Sequence, residues 1–374
     1  MTPLTVYHTE ASIGWGGQEI RILAEMTALR ARGHRFGLIA QPGSEIAVRA
    51  AAAGVPTHLV AMRGALDLLA VAEIAGILRG AGADLVNTHS SVDAWVAGWA
   101  ARLLRIPILR TRHLAIPLKP NRLAPRVYTW MADRVVATGE EGRQILLEQA
   151  GLSPERVSVV STGVDVERFA SGRVNRGEAR RALGLSAEDP VVGIAAVLRL
   201  NKGHIPLLQA MAAPALAERQ ARLLVAGSGP MEGYLKDLAR TLGVADRTQF
   251  LGHREDVPEI LAASDVVVLP STQNEGVPQT ILQAFALGRA VVGSDVPGIR
   301  QVVRDGETGL LVPPENPEAL GIAIARLLDD PRLGERFATA GRRLVLEQYS
   351  VAHMADAMEA VYRTLTGERC GSSV

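Results

Sequence analysis

The sequence predicts an α/β protein built from two doubly wound domains, each a parallel sheet covered on both faces by helices. Three observations carry this expectation. Short Val/Ile/Leu-rich runs alternate with longer helical patterns over almost the whole chain, the signature of βαβ units. The runs are continuously apolar rather than alternating, as in strands buried on both faces. Thirteen such runs exceed what one sheet usually holds, and the polar, basic stretch Arg168–Arg181, with Gly172 and Gly177, divides them into two sets.

In the first set the expected strands are Leu4–His8, Arg35–Ala40, Thr57–Val60, Asp84–Thr88, Pro107–Thr111, Arg134–Thr138 and Val157–Val160. Helical patterns lie between them, among them Gln18–Arg32, Asp67–Arg79 and Ser91–Leu104. The boundary is expected within Asp165–Pro190. The second set follows as Val191–Val197, Arg222–Ala226, Thr248–Leu251, Asp265–Leu269, Ala290–Gly293 and Gly309–Val312, with helices such as Met231–Leu242 and Pro317–Leu328. After Asp329 the pattern is helical only: Pro331–Leu346, then Val351–Leu365. The expected division is therefore residues 1–168, residues 186–348 and a terminal helix in 349–374, with Gly371–Val374 a frayed tail.

Composition fits this class. The chain has 374 residues, 48% apolar and 21% charged, with a net charge of +1. That balance excludes a disordered or nucleic-acid-coating chain. The single cysteine, Cys370, allows no internal disulfide and suits a reducing cytoplasm. No basic leader precedes the first strand, and no apolar run reaches the ~20 residues of a membrane span. Any membrane contact is expected to be peripheral, on the inner face of the cytoplasmic membrane.

Candidate site residues gather where strands end and helices begin, the edge at which open α/β sheets hold ligands. Gly14-Trp15-Gly16-Gly17-Gln18-Glu19 follows the first strand. It is not the dinucleotide fingerprint: the third glycine position is Glu19, and the second strand ends in Ala40-Gln41-Pro42 with no carboxylate for a ribose. Arg199 and Lys202 follow the first strand of the second set, two cations suited to a diphosphate. Gly227 and Arg254 follow the next two strands. Asp265–Leu269 leads into Asn274-Glu275-Gly276-Val277-Pro278, then a helix carrying Gln283. Pro278 suits a first helical turn, leaving the Gly276 and Val277 amides for a ligand. His89, Arg112 and His113 end two strands of the first set. No His-Glu-x-x-His or Asp-x-Asp spacing is present, so no metal cofactor is expected.

Glu275 with position 283, Gly16-Gly17-x-Glu19 and the Arg199/Lys202 pair together resemble the retaining glycosyltransferases of the GT4 family, which have the GT-B fold. The family pattern is Glu, seven residues, Glu; here the second position is Gln283, which keeps an acceptor for a ribose diol but loses its charge. The Arg199–Lys202 spacing of three is shorter than the family's usual four to six. The resemblance implies two Rossmann-like domains facing a cleft, with the terminal helix crossing back to the N-domain. It implies a nucleoside-diphosphate sugar as donor, with Arg199, Lys202 and the Gly16-Gly17 loop on the diphosphate, and Glu275 and His113 on the sugar. Gly227 and Arg254 would border the nucleotide, and Gln283 its ribose. Arg112 would serve a saccharide or lipid-linked acceptor in bacterial surface-glycan (lipopolysaccharide) synthesis, and His89 would stand on the acceptor side or brace the loop. A GT-B sugar-nucleotide 2-epimerase and a sugar-nucleotide binding protein without transfer are the alternatives. Between Arg102 and Arg134 eight basic residues (Arg102, Arg105, Arg110, Arg112, Lys119, Arg122, Arg126 and Arg134) interleave with apolar ones and a single acid, Asp133. Such a surface suits anionic lipid or a phosphorylated acceptor, or is a solvated helix face.

Overall fold

The computed structural model describes residues 2–119, 123–170, 173–273 and 275–367. Arg122, Gly172, Asn274, Cys370 and the tail Gly371–Val374 lie outside the described residues. The chain forms two compact units, one made of residues 1–163 with 351–374, the other of residues 164–350.

The first unit carries a seven-stranded parallel sheet: β1 (Thr5–Glu10), β2 (Arg35–Ala40), β3 (Thr57–Leu59), β4 (Leu85–Thr88), β5 (Ile108–Arg112), β6 (Arg134–Ala137) and β7 (Val157–Val159), in the order β3-β2-β1-β4-β5-β6-β7. The second carries six: β8 (Val191–Ala195), β9 (Arg222–Ala226), β10 (Thr248–Gly252), β11 (Val266–Leu269), β12 (Ala290–Ser294) and β13 (Leu310–Val312), in the order β10-β9-β8-β11-β12-β13. Both are doubly wound. The strand order reverses between β1 and β4 in one sheet and between β8 and β11 in the other, the switch points where such sheets open a crevice.

Burial explains the strands. Val266 to Leu269 and Val191 to Ile194 are buried throughout, as β-branched runs covered on both sides must be. Some helices begin on side-chain caps: Asp67 accepts from the Ala70 amide, Asn316 from Ala319 and Asp330 from Leu333.

The stretch expected to hold the boundary packs with the second unit. Residues 165–190 belong to the second unit, and the helix Arg176–Ala182 within it buries Arg180 against the Ala263 carbonyl and Asp265. The terminal helix Val351–Thr366 belongs to the first unit, where Met354, Met358 and Tyr362 join the core beside Ile22 and Met26.

Candidate functional site

In the second unit the loops after β8 and β11 meet at the switch point. Leaving β8, the chain bends at Ala196 and Leu198, is extended at Arg199, turns through Leu200–Lys202 and passes Gly203 in the left-handed region at φ 75°. A Cβ on Gly203 would stand 1.8 Å from the Pro270 carbonyl oxygen, so only glycine lets the two loops approach. The Thr272 amide donates to the Asn201 carbonyl at 3.0 Å, and the Thr280 hydroxyl to the Ala195 carbonyl at 2.6 Å. The β9 loop closes in from the other side. A Cβ on Gly227 would lie 2.0 Å from the Ala196 carbonyl oxygen.

This scaffold brings Lys202 and Glu275 together. The Lys202 ammonium donates to both Glu275 carboxylate oxygens, at 2.6 and 2.7 Å, and the Ser271 hydroxyl donates to Oε1 at 2.6 Å. Glu275 is 9% exposed, and Gly298 packs so closely beneath it that a Cβ there would stand 2.1 Å from the Glu275 carbonyl oxygen. A hydrogen-bonded carboxylate and the ammonium it binds thus share one place. Arg199 is exposed at the same loop. His204, next along the chain, is buried; burial first, then the Lys202 charge, pulls its imidazole down to about 4.

Other expected residues fall around this pair. Pro278 is the N-cap of the helix Gln279–Ala286, one position earlier than its expected place in the first turn. Gly276 is part-exposed and Val277 buried. Gln283 is half-buried, and its amide has no hydrogen-bond partner among the described residues. Arg254 forms a fork with the Asp256 carboxylate, from Nε at 2.6 Å and through a second, shorter contact.

In the first unit Gly16 caps the helix Gly17–Ala31, and its amide donates to the Glu19 carboxylate at 2.9 Å. That bond is why Glu stands where a dinucleotide fingerprint has its third glycine: it satisfies a helix-end donor. Three histidines line the ends of adjacent strands. His8 Nδ1 lies 2.8 Å from His89 Nε2, and His89 Nδ1 lies 2.9 Å from His113 Nε2. Burial first, then neighbouring charges, holds His89 and His113 well below the ordinary histidine value.

Arg112, expected on the acceptor side, spends its guanidinium internally: it donates to the Tyr128 hydroxyl at 2.5 Å and to the Ile116 carbonyl. The basic region likewise does not form one stripe. Arg110 donates to the Ser90 carbonyl, Arg102 pairs with Asp133 at 2.6 Å, and Arg134 donates to the Glu155 carbonyl. Arg126 stacks on Trp130.

Some of the chemistry carries no sequence signal. Glu10 at the end of β1 is buried; burial first, then the Asp93 charge, pushes its carboxyl up to about 7. Asp93 accepts from the Thr9 and Ser90 hydroxyls and the His89 amide. A carboxylate ending a strand after a histidine is too common to flag. Among the described residues no group of three or more His, Cys, Asp or Glu is placed to hold a metal ion, and no helix is long and apolar enough to cross a membrane.

Comparison with known proteins fits both units. Residues 15–168 match "Glycosyltransferase Family 4" and residues 175–344 match "Glycosyl transferases group 1". The chain is 33% identical over 279 residues to a D-inositol 3-phosphate glycosyltransferase of Corynebacterium glutamicum, covering 67% of this chain and 66% of that one. It is 36% identical over 318 residues to the enzyme of the same name from Geodermatophilus obscurus, covering 78% and 68%. The chain thus spans about two thirds of the length of these curated relatives. Its fold is similar to that of Anabaena HepE, solved in complex with UDP and glucose, at a TM-score of 0.83 and 22% identity, covering 97% of this chain and 100% of that one. The chain belongs to the GT4 family of glycosyltransferases and has the GT-B fold.

Proposed function

We propose that the protein transfers a sugar, with retention, from a nucleoside-diphosphate sugar to a hydroxyl of a saccharide, free or lipid-linked, in the building of a bacterial surface glycan. The observation that carries the reading is the Lys202–Glu275 pair at the switch point of the second sheet. A diphosphate entering beside Gly203 competes with Glu275 for the Lys202 ammonium. Lys202 then turns to phosphate with Arg199, and the carboxylate, still held by Ser271, is released to accept from sugar hydroxyls. The same two cations stabilise the charge that develops as the diphosphate leaves. The departing phosphate oxygen takes the proton of the acceptor hydroxyl, which attacks from the same face. His113, half-buried and neutral, meets the sugar as a hydrogen-bonding group. HepE's complex with UDP and glucose and the inositol-phosphate acceptor named for the relatives support a sugar nucleotide and a polyol hydroxyl as the two substrates.

A thermal-shift screen of UDP-, GDP-, ADP- and dTDP-sugars tests the donor, because a ligand that binds the folded state raises the melting temperature. No shift with any of them would sink the reading. Transfer should survive EDTA, since Arg199 and Lys202 supply the charge that a divalent ion supplies elsewhere. Full loss with rescue by magnesium would contradict that.

The lipid-linked form of the acceptor rests on one surface. Trp99, Leu103 and Trp130 are exposed, and Arg102 ties their segments by donating to the Trp130 carbonyl at 3.1 Å. Arg105 and Arg126 flank them. Reversing Arg105, Lys119 and Arg126 to Glu should release the protein from anionic vesicles, at about 1 kcal/mol per cation. Wild-type protein that ignores such vesicles at low salt would contradict the lipid reading.

A further inference from the structure

The three histidines are the outer half of a longer chain. His8 Nε2 lies 3.1 Å from the Tyr362 hydroxyl, which also bonds the Glu25 carboxylate. Glu25 is fully buried beside the equally buried Arg21, 4.0 Å away. The path runs Glu25–Tyr362–His8–His89–His113, from the core beneath the terminal helix to the C-terminal end of β5.

We propose that Tyr362, His8 and His89 are positioning residues that fix His113 in one tautomer, protonated at Nε2 with a bare Nδ1 lone pair, so that it serves the transfer reaction as a hydrogen-bond acceptor. The proposal rests on the reading of His113 as a donor-sugar residue.

The argument is a count of protons. Arg21 keeps its charge in any protein environment, and a buried cation needs an anion. Glu25 is the carboxylate beside it and serves as that anion: burial pushes its carboxyl up, and the Arg21 charge and the Tyr362 hydrogen bond act against that rise. An ionised Glu25 only accepts, so the Tyr362 hydroxyl gives it its single proton. The Tyr362 oxygen accepts from Asn87 Nδ2 at 3.1 Å, and Asn87 is oriented by the Thr111 hydroxyl donating to its Oδ1 at 3.0 Å. Tyr362 has no proton left for His8, so His8 Nε2 must donate. A neutral imidazole holds one N–H. His8 Nδ1 is then an acceptor, which makes His89 Nε2 a donor and His89 Nδ1 an acceptor, and His113 Nε2 a donor in turn. All three rings are neutral: burial first pulls His8 down to about 3 and takes the other two well below their ordinary value. His113 Nδ1 has no partner among the described residues, and the ring is half-buried at the strand end. A sugar hydroxyl that donates to it finds a preset acceptor; a wrong tautomer would present N–H there instead.

Long-range proton–nitrogen correlation on histidine-labelled protein tests this, with His113 assigned by the signals lost in His113→Gln. The expected wild-type result is one tautomer at His8, His89 and His113, each protonated at Nε2. Protonation of His113 at Nδ1, or a mixture, in the wild-type protein would overturn the proposal. Tyr362→Phe should convert the His113 signals to a mixture and lower kcat about tenfold, the worth of one hydrogen bond, with nucleoside diphosphate affinity unchanged. A purely structural Tyr362 would instead lower the melting temperature and leave the folded protein's tautomer single, which overturns the positioning role. His113→Gln should also slow transfer. If it does not, the donor-sugar reading fails, a failure distinguishable because the tautomer is measured without substrate.

Discussion

The two units share one topology and use its switch point in opposite ways. In the first, the charges near the crevice are buried and consumed internally: Arg21, Glu25, Asp93, Arg110 and Arg112 bond to their own unit, and what reaches the edge is a neutral imidazole. In the second, the loops themselves are packed backbone against backbone at Gly203, Gly227 and Gly298, and what they hold out is a charged pair. One unit spends its rigidity on side-chain hydrogen bonds, the other on glycines. A hydroxyl-bearing ligand suits the first and a diphosphate the second.

Substituting a glycine in each unit should break the comparison where it is strongest. Gly203→Ala forces a left-handed residue and a 1.8 Å contact with the Pro270 oxygen. It should cost upwards of ~3 kcal/mol. Gly17→Ala meets nothing within 4 Å and should stay within ~1 kcal/mol. Denaturant midpoints compare the two. Equal small losses would mean that the second unit's loops are not held by backbone contact.

A smaller effect separates the units by pH. Glu10 in the first unit has a folded value of about 7 against an ordinary 4.5. A carboxyl raised on folding binds its proton more tightly in the native state, so its stability contribution is full below pH 4.5 and is lost as pH rises through about 7. The loss is on the order of 3 kcal/mol. Glu10→Gln should remove that part of the slope and gain relative stability at pH 8. An unchanged slope would mean that Glu10 is ionised without penalty.

The smallest expected change is Gln283→Glu, which restores the family's residue on a half-buried, unpartnered amide. Donor binding should tighten by less than ~1 kcal/mol, as a carboxylate strengthens hydrogen bonds to a diol. Loss of activity in a folded variant would give Gln283 a different role.

Much of this was legible in the sequence. The central strands, such as β8 and β11, announced themselves because a strand buried on both faces must be apolar, whereas the edge strands β3 and β10 are only part-buried and mix polar residues into the run. The errors sit where backbone leaves the sheet: Val191–Val197 reads as one run, but β8 ends at Ala195, whose carbonyl is taken by Thr280. Lys202 and Glu275 were legible as strand-end charges, though not as partners, since their contact spans 73 residues. The segment after Asp165 reads as a domain boundary because its burial runs through Arg180 rather than through aliphatic residues. The Tyr362–His8 contact, 354 residues apart, has no local pattern at all.

The central claim is that Lys202 holds phosphate and Glu275 holds sugar. Calorimetric titration of the nucleoside diphosphate of the donor found by thermal shift, into wild type, Lys202→Ala and Glu275→Ala, tests it most directly. The account predicts that Lys202→Ala weakens binding at least tenfold, the factor for ~1.4 kcal/mol of a charged hydrogen bond. Glu275→Ala should bind as well as wild type or tighter, because Lys202 no longer leaves a carboxylate, while its transfer is lost by ~2–4 kcal/mol in the transition state. Strong loss of diphosphate binding in Glu275→Ala with none in Lys202→Ala would contradict the assignment.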